Sequence, residues 1–278
     1  MIYPFLKAIG SDYSIGVVTY VKRFESYFKP LVASLEKYFP KVEKNYVLNG
    51  FYDPAIQAEY LKKAKEFLRG TSAANVIAYS ESQPLARCFN QLILHTTGKK
   101  VLILNDDLLI RRLFRPFFEL QMWPFETCVV NNTWSISFLS KDTVRKVGWF
   151  DERFPAIGNE DGDYGLRIAI QKGQKEMQVL HQHNIYCFGI TNVVAGNTDP
   201  GWKKDSAIVG SGYAQSNKDY FEKKWETSKT PLENSVCLQG VYHRIRPDFE
   251  TPQFYGWDLL DKPLQSPLND ANIRIPRE

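Results

Sequence analysis

Two groups of acidic residues in this 278-residue chain have the types and spacing to do chemistry. Asn105–Asp107 directly follows the apolar run Val101–Leu104, and Glu160–Asp163 stands directly before a helical pattern. Adjacent carboxylates after a buried strand form a hard-oxygen site, which suits Mg²⁺ or Mn²⁺ bridging phosphates. A tight group of carboxylates can also hold one of them as a general base. The alternatives are a solvated turn for the first group and helix capping for the second, because acidic side chains stabilise a helix N-terminus.

Strand and helix patterns alternate in the N-terminal part of the chain. Short apolar runs predict four buried strands, at Ile15–Tyr20, Tyr46–Leu48, Val76–Tyr79 and Val101–Leu104. Helices are predicted between them, one opening near Pro30, one from the N-cap Asp53 to Gly70, and one from Pro84 to about Thr96. This alternation favours βαβ units and a parallel sheet. Ligands bind beyond the carboxyl ends of such strands, where the first acidic group stands.

The pattern changes after residue 127. Trp134–Phe138 alternates between apolar and polar residues, which predicts a half-exposed strand, and a further strand is predicted around Gln178–Phe188. From Pro231 onward the chain is rich in proline and aromatic residues and has little periodicity. We expect this segment to wrap on the body, since its aromatic side chains would be costly to leave in water.

Composition excludes several classes of protein. With 44% hydrophobic residues, 24% charged residues and a net charge of +4, the chain is of ordinary globular type and lacks the basic stripe of a nucleic-acid binder. No apolar run is long enough for a transmembrane segment, and the N-terminus lacks a signal-peptide pattern. The four cysteines lack zinc-site spacing and fit reduced thiols. A cytoplasmic protein without a nucleic-acid partner is expected.

An ordered set of short motifs covers about residues 14–225. It consists of Val17–Tyr20 with Arg23, Asn90–Ile93, Leu102–Asp107, Val147–Phe154, Glu160–Asp163 with Arg167, and Tyr220 with Lys223–Trp225. In this order the motifs resemble those of the family 2 glycosyltransferases, which have the GT-A fold. The resemblance implies an α/β fold with a mixed, mainly parallel central sheet flanked by helices. It also implies a GT-A domain over 1–230, with a nucleotide-sugar half at about 14–110 and an acceptor half at about 111–230, and a C-terminal extension over 231–278.

The resemblance places a nucleotide-diphosphate sugar at the ends of the first strands. The residues that it assigns to this donor are Thr19, Tyr20, Arg23, Asn49, Asn105 and Asp106. Tyr20 is expected to stack on the base, with core packing as the alternative, and Arg23 to contact a phosphate or a base edge. Asn49 replaces the family's acidic residue, and its amide can pair with the imide edge of uracil or thymine. A UDP-sugar is therefore the expected donor.

The resemblance also implies a divalent metal ion, Mn²⁺ or Mg²⁺. Asp107 fills the last position of the family's Asp-x-Asp motif, whose first position is Asn105 here. Asp107 and the donor's diphosphate are expected to hold the ion, and His183 to complete the site. His181, which shares a strand face with His183, and His243 are alternatives, as is a structural role for each histidine.

Catalysis is assigned by the same resemblance to the second acidic group. Asp161 matches the family's base position, which implies a single-displacement, inverting transfer to a hydroxyl of a glycan or glycoconjugate. Glu160 is expected to orient the acceptor and to raise the pKa of Asp161 by like-charge repulsion. Trp149, Asp163 and Trp225 are expected to border the acceptor. Capping of a helix that opens at Asp163 and core packing of Trp225 are the alternatives.

Two other functions remain open. A sugar nucleotidyltransferase would carry a glycine-rich phosphate loop after the first strand, where this chain has Thr19–Arg23 without a glycine. A catalytically degenerate module that binds a glycan or a nucleotide is favoured by Asn49 and Asn105 and opposed by the retained acidic residues. Polysaccharide biosynthesis in a bacterial or viral setting is the expected context, and a homodimer is left open.

Overall fold

The computed structural model describes residues 12–130, 133–154, 157–172, 177–180, 190–192, 216–227, 242–245 and 273–274. The strands are β1 (Tyr13–Thr19), β2 (Glu43–Leu48), β3 (Asn75–Ala78), β4 (Lys100–Asn105), β5 (Leu108–Ile110), β6 (Thr127–Val130), β7 (Thr133–Ser140), β8 (Met177–Leu180), β9 (Ile190–Asn192), β10 (Trp225–Thr227), β11 (Tyr242–Ile245) and β12 (Ile273–Arg274). The helices are α1 (Lys29–Tyr38), α2 (Pro54–Arg69), α3 (Leu85–His95), α4 (Phe114–Phe117), α5 (Lys141–Val147), α6 (Glu160–Lys172) and α7 (216–224). A short helix, Val21–Arg23, and a π-helical turn, Phe24–Phe28, lead into α1, and a second π-helical turn, Phe118–Met122, follows α4.

The main sheet is mixed and has its parallel strands side by side. Among the described residues its strand order is β12-β3-β2-β1-β4-β7-β6-β8. Strands β3, β2, β1 and β4 pair in parallel, whereas β7 is antiparallel to β4 and β6. Parallel neighbours need crossover connections, which α1, α2 and α3 supply. The predicted α/β class, with a mainly parallel central sheet flanked by helices, is confirmed.

Helices cover both faces of this sheet. Tyr46 and Leu48 pack in a core with residues of α1 and α2, whereas Val47 between them packs in a second core with α3, α5 and α6. The split follows from the alternation of side chains along a strand. Gly16 faces the second core, where an added Cβ would lie 2.9 Å from Leu92 Cδ1. Because both faces are covered, the strands contain short continuous apolar runs such as Val101–Leu104 of β4.

Strand β7 corrects the prediction of a half-exposed strand over Trp134–Phe138. It lies inside the sheet between β4 and β6, and its residues Ile136 and Ser137 are buried. The alternating polar residues therefore do not mark solvent. Ser135 instead accepts a hydrogen bond from Asn105 Nδ2 at 3.1 Å, so it is the partner of a polar side chain on the neighbouring strand.

The predicted limits of the helices hold for α2 and fail for α6. Asp53 caps α2 by accepting from the backbone N–H groups of Ala55 and Ile56, and Gly70 ends it. Helix α6 begins at Glu160 and not at Asp163. Asp163 therefore lies inside the first turn, where its side chain has a different role from a cap.

Other predictions meet the structure only in part. No helix among the described residues is long and apolar enough to cross a membrane. Cys88 and Cys128 are buried free thiols, and the other two cysteines lie outside the described residues. Of the segment predicted around Gln178–Phe188, β8 is described. Of the predicted extension 231–278, β11 pairs with β10 and β12 pairs with the edge strand β3, both antiparallel. The division into a domain and an extension stays a prediction.

Candidate functional site

Arg23 lies between the two carboxylates of the first acidic group. Its Nη2 is 3.0 Å from Asp106 Oδ1 and 2.8 Å from Asp107 Oδ2. The geometry follows from the sheet, since β1 and β4 are parallel neighbours and the helical turn Val21–Arg23 begins just after β1. Thr19, at the end of β1, donates from Oγ1 to Asp106 Oδ2 at 2.7 Å. Both acids are buried, so the solvated-turn interpretation of this group is wrong.

The charges of this cluster support one another. Burial raises the pKa of Asp106 to about 6, against the opposing effects of Arg23 and Thr19. Burial also works to lower the pKa of Arg23, but the charges of Asp106 and Asp107 outweigh it and the pKa is raised. The guanidinium therefore stays charged and serves two carboxylates at once.

The first acidic group retains one oxygen that suits a divalent cation. Asp107 Oδ1 is buried and has no hydrogen-bond partner among the described residues, whereas Asp106 is held by Thr19 and Arg23. No group of three or more His, Cys, Asp or Glu side chains in the described ranges forms a metal site by itself, and His181 and His183 lie outside those ranges. The residues thus fit an ion that takes one protein ligand and completes its shell with ligand oxygens and water.

Asn49 uses its side chain within the protein. Its Nδ2 donates to Gln83 O at 2.9 Å, and its Oδ1 accepts from the N–H groups of Gly50 and Gln83, both at 2.8 Å. Gly50 lies so close to the next loop that an added Cβ would be 2.0 Å from the carbonyl carbon of Glu81. These contacts fix the loop before α3 against the end of β2. The predicted pairing of Asn49 with a base stays a prediction.

Aromatic rings border the Arg23 cluster. The guanidinium of Arg23 lies 5.4 Å from the ring centre of Tyr27, and the exposed Lys22 lies 5.9 Å from the ring centre of Phe51. Tyr20 is half-buried, and its carbonyl accepts from Arg23 N at 3.0 Å. The predicted stacking of Tyr20 on a base stays a prediction.

A row of polar contacts leads from the end of β2 to the motif Val147–Phe154. Gln83, which Asn49 binds, accepts at Oε1 from Arg87 Nη1 at 2.5 Å. Arg87 Nε in turn donates to Glu152 Oε2 at 3.2 Å. Arg87 lies on α3, so this helix contacts both Gln83, which is bound at the end of β2, and Glu152 of the motif Val147–Phe154.

Asn90 holds the same motif one turn further along α3. Its Nδ2 donates to Phe150 O and to Glu152 Oε1, each at 2.9 Å, and its Oδ1 accepts from Phe150 N at 3.0 Å. An asparagine can satisfy a backbone donor and a backbone acceptor together, which neither aspartate nor leucine does. The position of residues 150–152 is therefore set by α3.

Glu160 and Asp161 form an acid pair at the start of α6, in which Glu160 is buried and Asp161 is half-buried. Glu160 Oε2 accepts from Gly158 N at 2.6 Å, and Asp161 Oδ1 accepts from Gly162 N at 2.7 Å. The chain reaches this turn through positive φ angles at Gly158 (109°) and Asn159 (68°), where glycine and asparagine are favoured.

Burial raises the pKa of both members of this pair. Together with the charge of Asp161, it raises the pKa of Glu160 to about 8. For Asp161 the cause of the raised pKa is burial. The expected rise in the pKa of Asp161 is present, and burial is its main cause. Near neutral pH Glu160, with a pKa of about 8, keeps its proton.

Asp163 lies in the core and not at a surface open to an acceptor. It accepts from Lys224 Nζ at 2.6 Å, from Trp225 Nε1 at 2.9 Å and, through its other oxygen, from Arg167 Nε at 2.9 Å. Trp225 is itself buried, as is Trp149, whose carbonyl accepts from Arg167 Nη2 at 2.7 Å. The core-packing alternative for Trp225 agrees with its burial, and the predicted acceptor contacts of Trp149, Asp163 and Trp225 stay predictions.

Helix α7 contacts the motif Val147–Phe154, the loop before Glu160 and the first turn of α6. Its Lys224 also contacts Asp151 Oδ2 at 2.7 Å, and its Asn217 donates to Gly158 O at 2.6 Å. Burial alone would raise the pKa of Asp151, but Arg153 and Lys224 outweigh it and hold that pKa well below its usual range. The loop before Glu160 is therefore held from one side by α3 and from the other by α7.

The two acidic groups are connected at one edge of the sheet. Asn105, at the end of β4, donates to Ser135 of β7 at 3.1 Å. Trp134, which precedes Ser135 in β7, packs its ring against Tyr164 of α6 with ring centres 5.7 Å apart. Tyr164 also donates from its hydroxyl to Gly148 O at 2.9 Å. The N-terminal turn of α6 is thereby anchored beside the carboxyl end of β4.

Several residues that hold the site had no role in the sequence analysis. Arg87 carried no signal beyond its spacing from Gln83, which is one helical turn. Asn90, Arg167 and Lys224 stood in the recognised motifs, but nothing in their local sequence showed what they would contact. Arg87 and Arg167 each have one partner four residues away, but Glu152, Asp151 and Phe150, which Arg87, Lys224 and Asn90 contact, are distant in the chain, so only the folded structure reveals them.

Comparisons with known proteins give similarities at the level of structure only. No protein-family model and no curated protein sequence matches the chain. Among solved structures, it is similar to residues 1–349 of TarS from S. aureus, with 14% identity, a TM-score of 0.46, and coverage of 61% of this chain and 58% of that one. It is also similar to glucosyl-3-phosphoglycerate synthase from Mycobacterium tuberculosis with UDP, with 12% identity, a TM-score of 0.49, and coverage of 64% and 72%.

A second structure of that synthase, in complex with Mn²⁺ and UDP-glucose, gives 11% identity, a TM-score of 0.48, and coverage of 64% and 71%. The chain thus spans less than two thirds of the TarS fragment.

Proposed function

We propose that this chain is an inverting glycosyltransferase. It transfers a sugar from a nucleotide-diphosphate donor, a UDP-sugar, to a hydroxyl of a glycan or glycoconjugate. The observation that carries the proposal is the anchoring of the pair Glu160–Asp161 beside the ends of β1 and β4, which are followed by Arg23, Asp106 and Asp107. The group of Arg23, Asp106 and Asp107 suits a diphosphate, and the pair Glu160–Asp161 suits the removal of a proton.

Asp161 is the general base of the proposed reaction. The acceptor hydroxyl must lose its proton while the diphosphate leaves, and a positioned carboxylate contributes about 10²–10⁴-fold to such a step. Near neutral pH Glu160, with a pKa of about 8, holds a proton, so it places no second negative charge beside Asp161. Glu160 then has a proton to donate to an acceptor oxygen, which is the orienting role proposed for it.

The donor's diphosphate is proposed to bind at the ends of β1 and β4. Arg23 offers a planar guanidinium, which binds phosphate oxygens in pairs. A bound Mn²⁺ or Mg²⁺ would offset the charge that develops on the leaving diphosphate. Asp107 would hold that ion through Oδ1, which has no hydrogen-bond partner among the described residues.

The test is incubation of the protein with a panel of nucleotide-sugars, with and without Mn²⁺. Slow hydrolysis of one donor, most rapid for a UDP-sugar, supports the proposal. Binding of nucleoside diphosphates without any turnover of any donor contradicts it.

A second function, a degenerate nucleotide-binding module, is favoured by one observation. Arg23 already neutralises the carboxylates that a metal would use, and Asn49 is engaged by Gln83. The same panel separates the two functions, because a binding module is stabilised by a nucleotide but hydrolyses no donor.

A further inference from the structure

We propose that Arg23 is an internal counter-ion that keeps divalent cations away from Asp107 until a nucleoside diphosphate binds. The inference rests on the proposed function, since it concerns the same site. In the free chain the guanidinium pairs with both carboxylates. When a diphosphate binds, the guanidinium turns to its oxygens, and Asp107 becomes available to the metal ion.

The first step of the argument is the position of the charge. Arg23 Nη2 lies 2.8 Å from Asp107 Oδ2 and 3.0 Å from Asp106 Oδ1, which is where a cation shared by two carboxylates would lie. The side chain of Arg23 is 17% exposed, and those of the acids are 4% and 8% exposed. A metal ion that approached Asp107 in the free chain would therefore meet a positive charge in a poorly solvated place, where repulsion is strong.

The second step is that the guanidinium has donor capacity to spare. Its Nη2 is shared between the two carboxylates, and its buried Nε has no hydrogen-bond partner among the described residues. Phosphate oxygens offer a guanidinium better geometry, because two N–H groups can bind two oxygens. A diphosphate therefore competes with Asp107 for Arg23.

The third step is that Asp107 keeps an oxygen ready. Its Oδ1 is buried, and no described residue gives it a hydrogen bond. Once Arg23 has moved, the full charge of Asp107 is open to a divalent ion. Nucleotide and metal then strengthen each other's binding, and by linkage the two effects are equal in size.

The experiment measures free Mn²⁺ by electron paramagnetic resonance during titration with the full chain, with and without UDP. For the wild type, UDP is expected to tighten Mn²⁺ binding by about tenfold or more. Arg23→Gln is expected to bind Mn²⁺ alone about tenfold more tightly than the wild type, with most of the coupling to UDP lost. Lys22→Gln removes the same charge from the exposed neighbour and is expected to behave as the wild type.

Equal Mn²⁺ binding by the wild type and Arg23→Gln without UDP overturns the inference, as does an equal gain in Lys22→Gln. If Arg23→Gln does not fold, the wild type decides alone. UDP must then tighten Mn²⁺ binding by the wild type, and an absence of coupling overturns the inference. UDP binding with donor hydrolysis but without coupling leaves the proposed function intact. A chain that neither binds a nucleotide nor hydrolyses a donor overturns both.

Discussion

Lys224 and Asp163 form an ion pair inside the protein, with Nζ 2.6 Å from Oδ1 and both side chains fully buried. The same Nζ lies 2.7 Å from Asp151 Oδ2. One ammonium group therefore joins α6, which begins with the acid pair, to the motif Val147–Phe154. Removal of one partner of a buried ion pair leaves the other charge without compensation, which is costly.

Lys224→Met is expected to lower the free energy of unfolding by about 3–5 kcal/mol, because Asp163 and Asp151 then lose their shared cation. Urea denaturation measures this loss. Lys223→Met is the matched control, since Lys223 is the exposed neighbour and its replacement is expected to change stability by less than about 0.5 kcal/mol. Equal stability of the two variants would contradict the buried pair.

Gly50→Ala is expected to destabilise the protein and to weaken nucleotide binding. The added Cβ would lie 2.0 Å from backbone atoms of Glu81, so the loop held by Asn49 must move. Crowding of this kind costs about 1–3 kcal/mol.

Gly70→Ala is the control for this substitution. Gly70 ends α2 with φ −80°, and an added Cβ would meet only Phe67 O at 3.6 Å. Thermal unfolding with and without UDP compares the two variants. If Gly50→Ala matches Gly70→Ala in both stability and UDP binding, the close contact between Gly50 and the backbone of Glu81 is contradicted.

The stability of the protein is expected to depend on pH through Glu160. Its pKa is about 8 in the folded chain against an ordinary value of 4.5, so between these values the folded state holds a proton that the unfolded state has released. The free energy of unfolding therefore falls as the pH rises through this range, by at most about 1.4 kcal/mol per pH unit for one group.

Glu160→Gln removes this dependence, because glutamine does not ionise. Urea denaturation at pH 5, 6.5 and 8 is expected to show the variant gaining stability relative to the wild type as the pH rises. The comparison cancels the contributions of Asp106 and Asp151, whose pKa values are also shifted. Parallel pH curves for the two proteins would show that Glu160 titrates in its ordinary range.

The sequence predicted the parts of the fold that local patterns determine. The buried strands β1 to β4 were found because each contains a short apolar run, although the polar first half of β2, Glu43–Asn45, was missed. Helix α2 was found because Asp53, Pro54 and Gly70 carry its cap, first turn and end. Strand β7 was placed correctly but misjudged as half-exposed, since a serine that binds a neighbouring strand has the same pattern as a serine in water.

The candidate site was predictable in its residues and not in its contacts. The acidic groups were evident from the sequence, but the position of Arg23 between Asp106 and Asp107 depends on the parallel pairing of β1 with β4. The contacts of Asp163 with Lys224 and Trp225 could not be predicted, because these partners are distant from it in the chain. Such contacts are properties of the packing, and spacing along the sequence does not encode them.

The central claim is that Asp161 takes the proton of the acceptor, and Asp161→Asn tests it most directly. Asparagine keeps the shape and the oxygen that accepts from Gly162 N. The measurement is the transfer rate of this variant with the donor that the panel identifies, together with UDP binding and the anomeric configuration of the wild-type product. The proposed function predicts a folded variant that binds UDP normally and transfers the sugar at least about 10²-fold more slowly than the wild type. It also predicts that the wild-type product has inverted anomeric configuration. A variant that keeps most of the transfer rate, or a product that retains the donor's configuration, would contradict it.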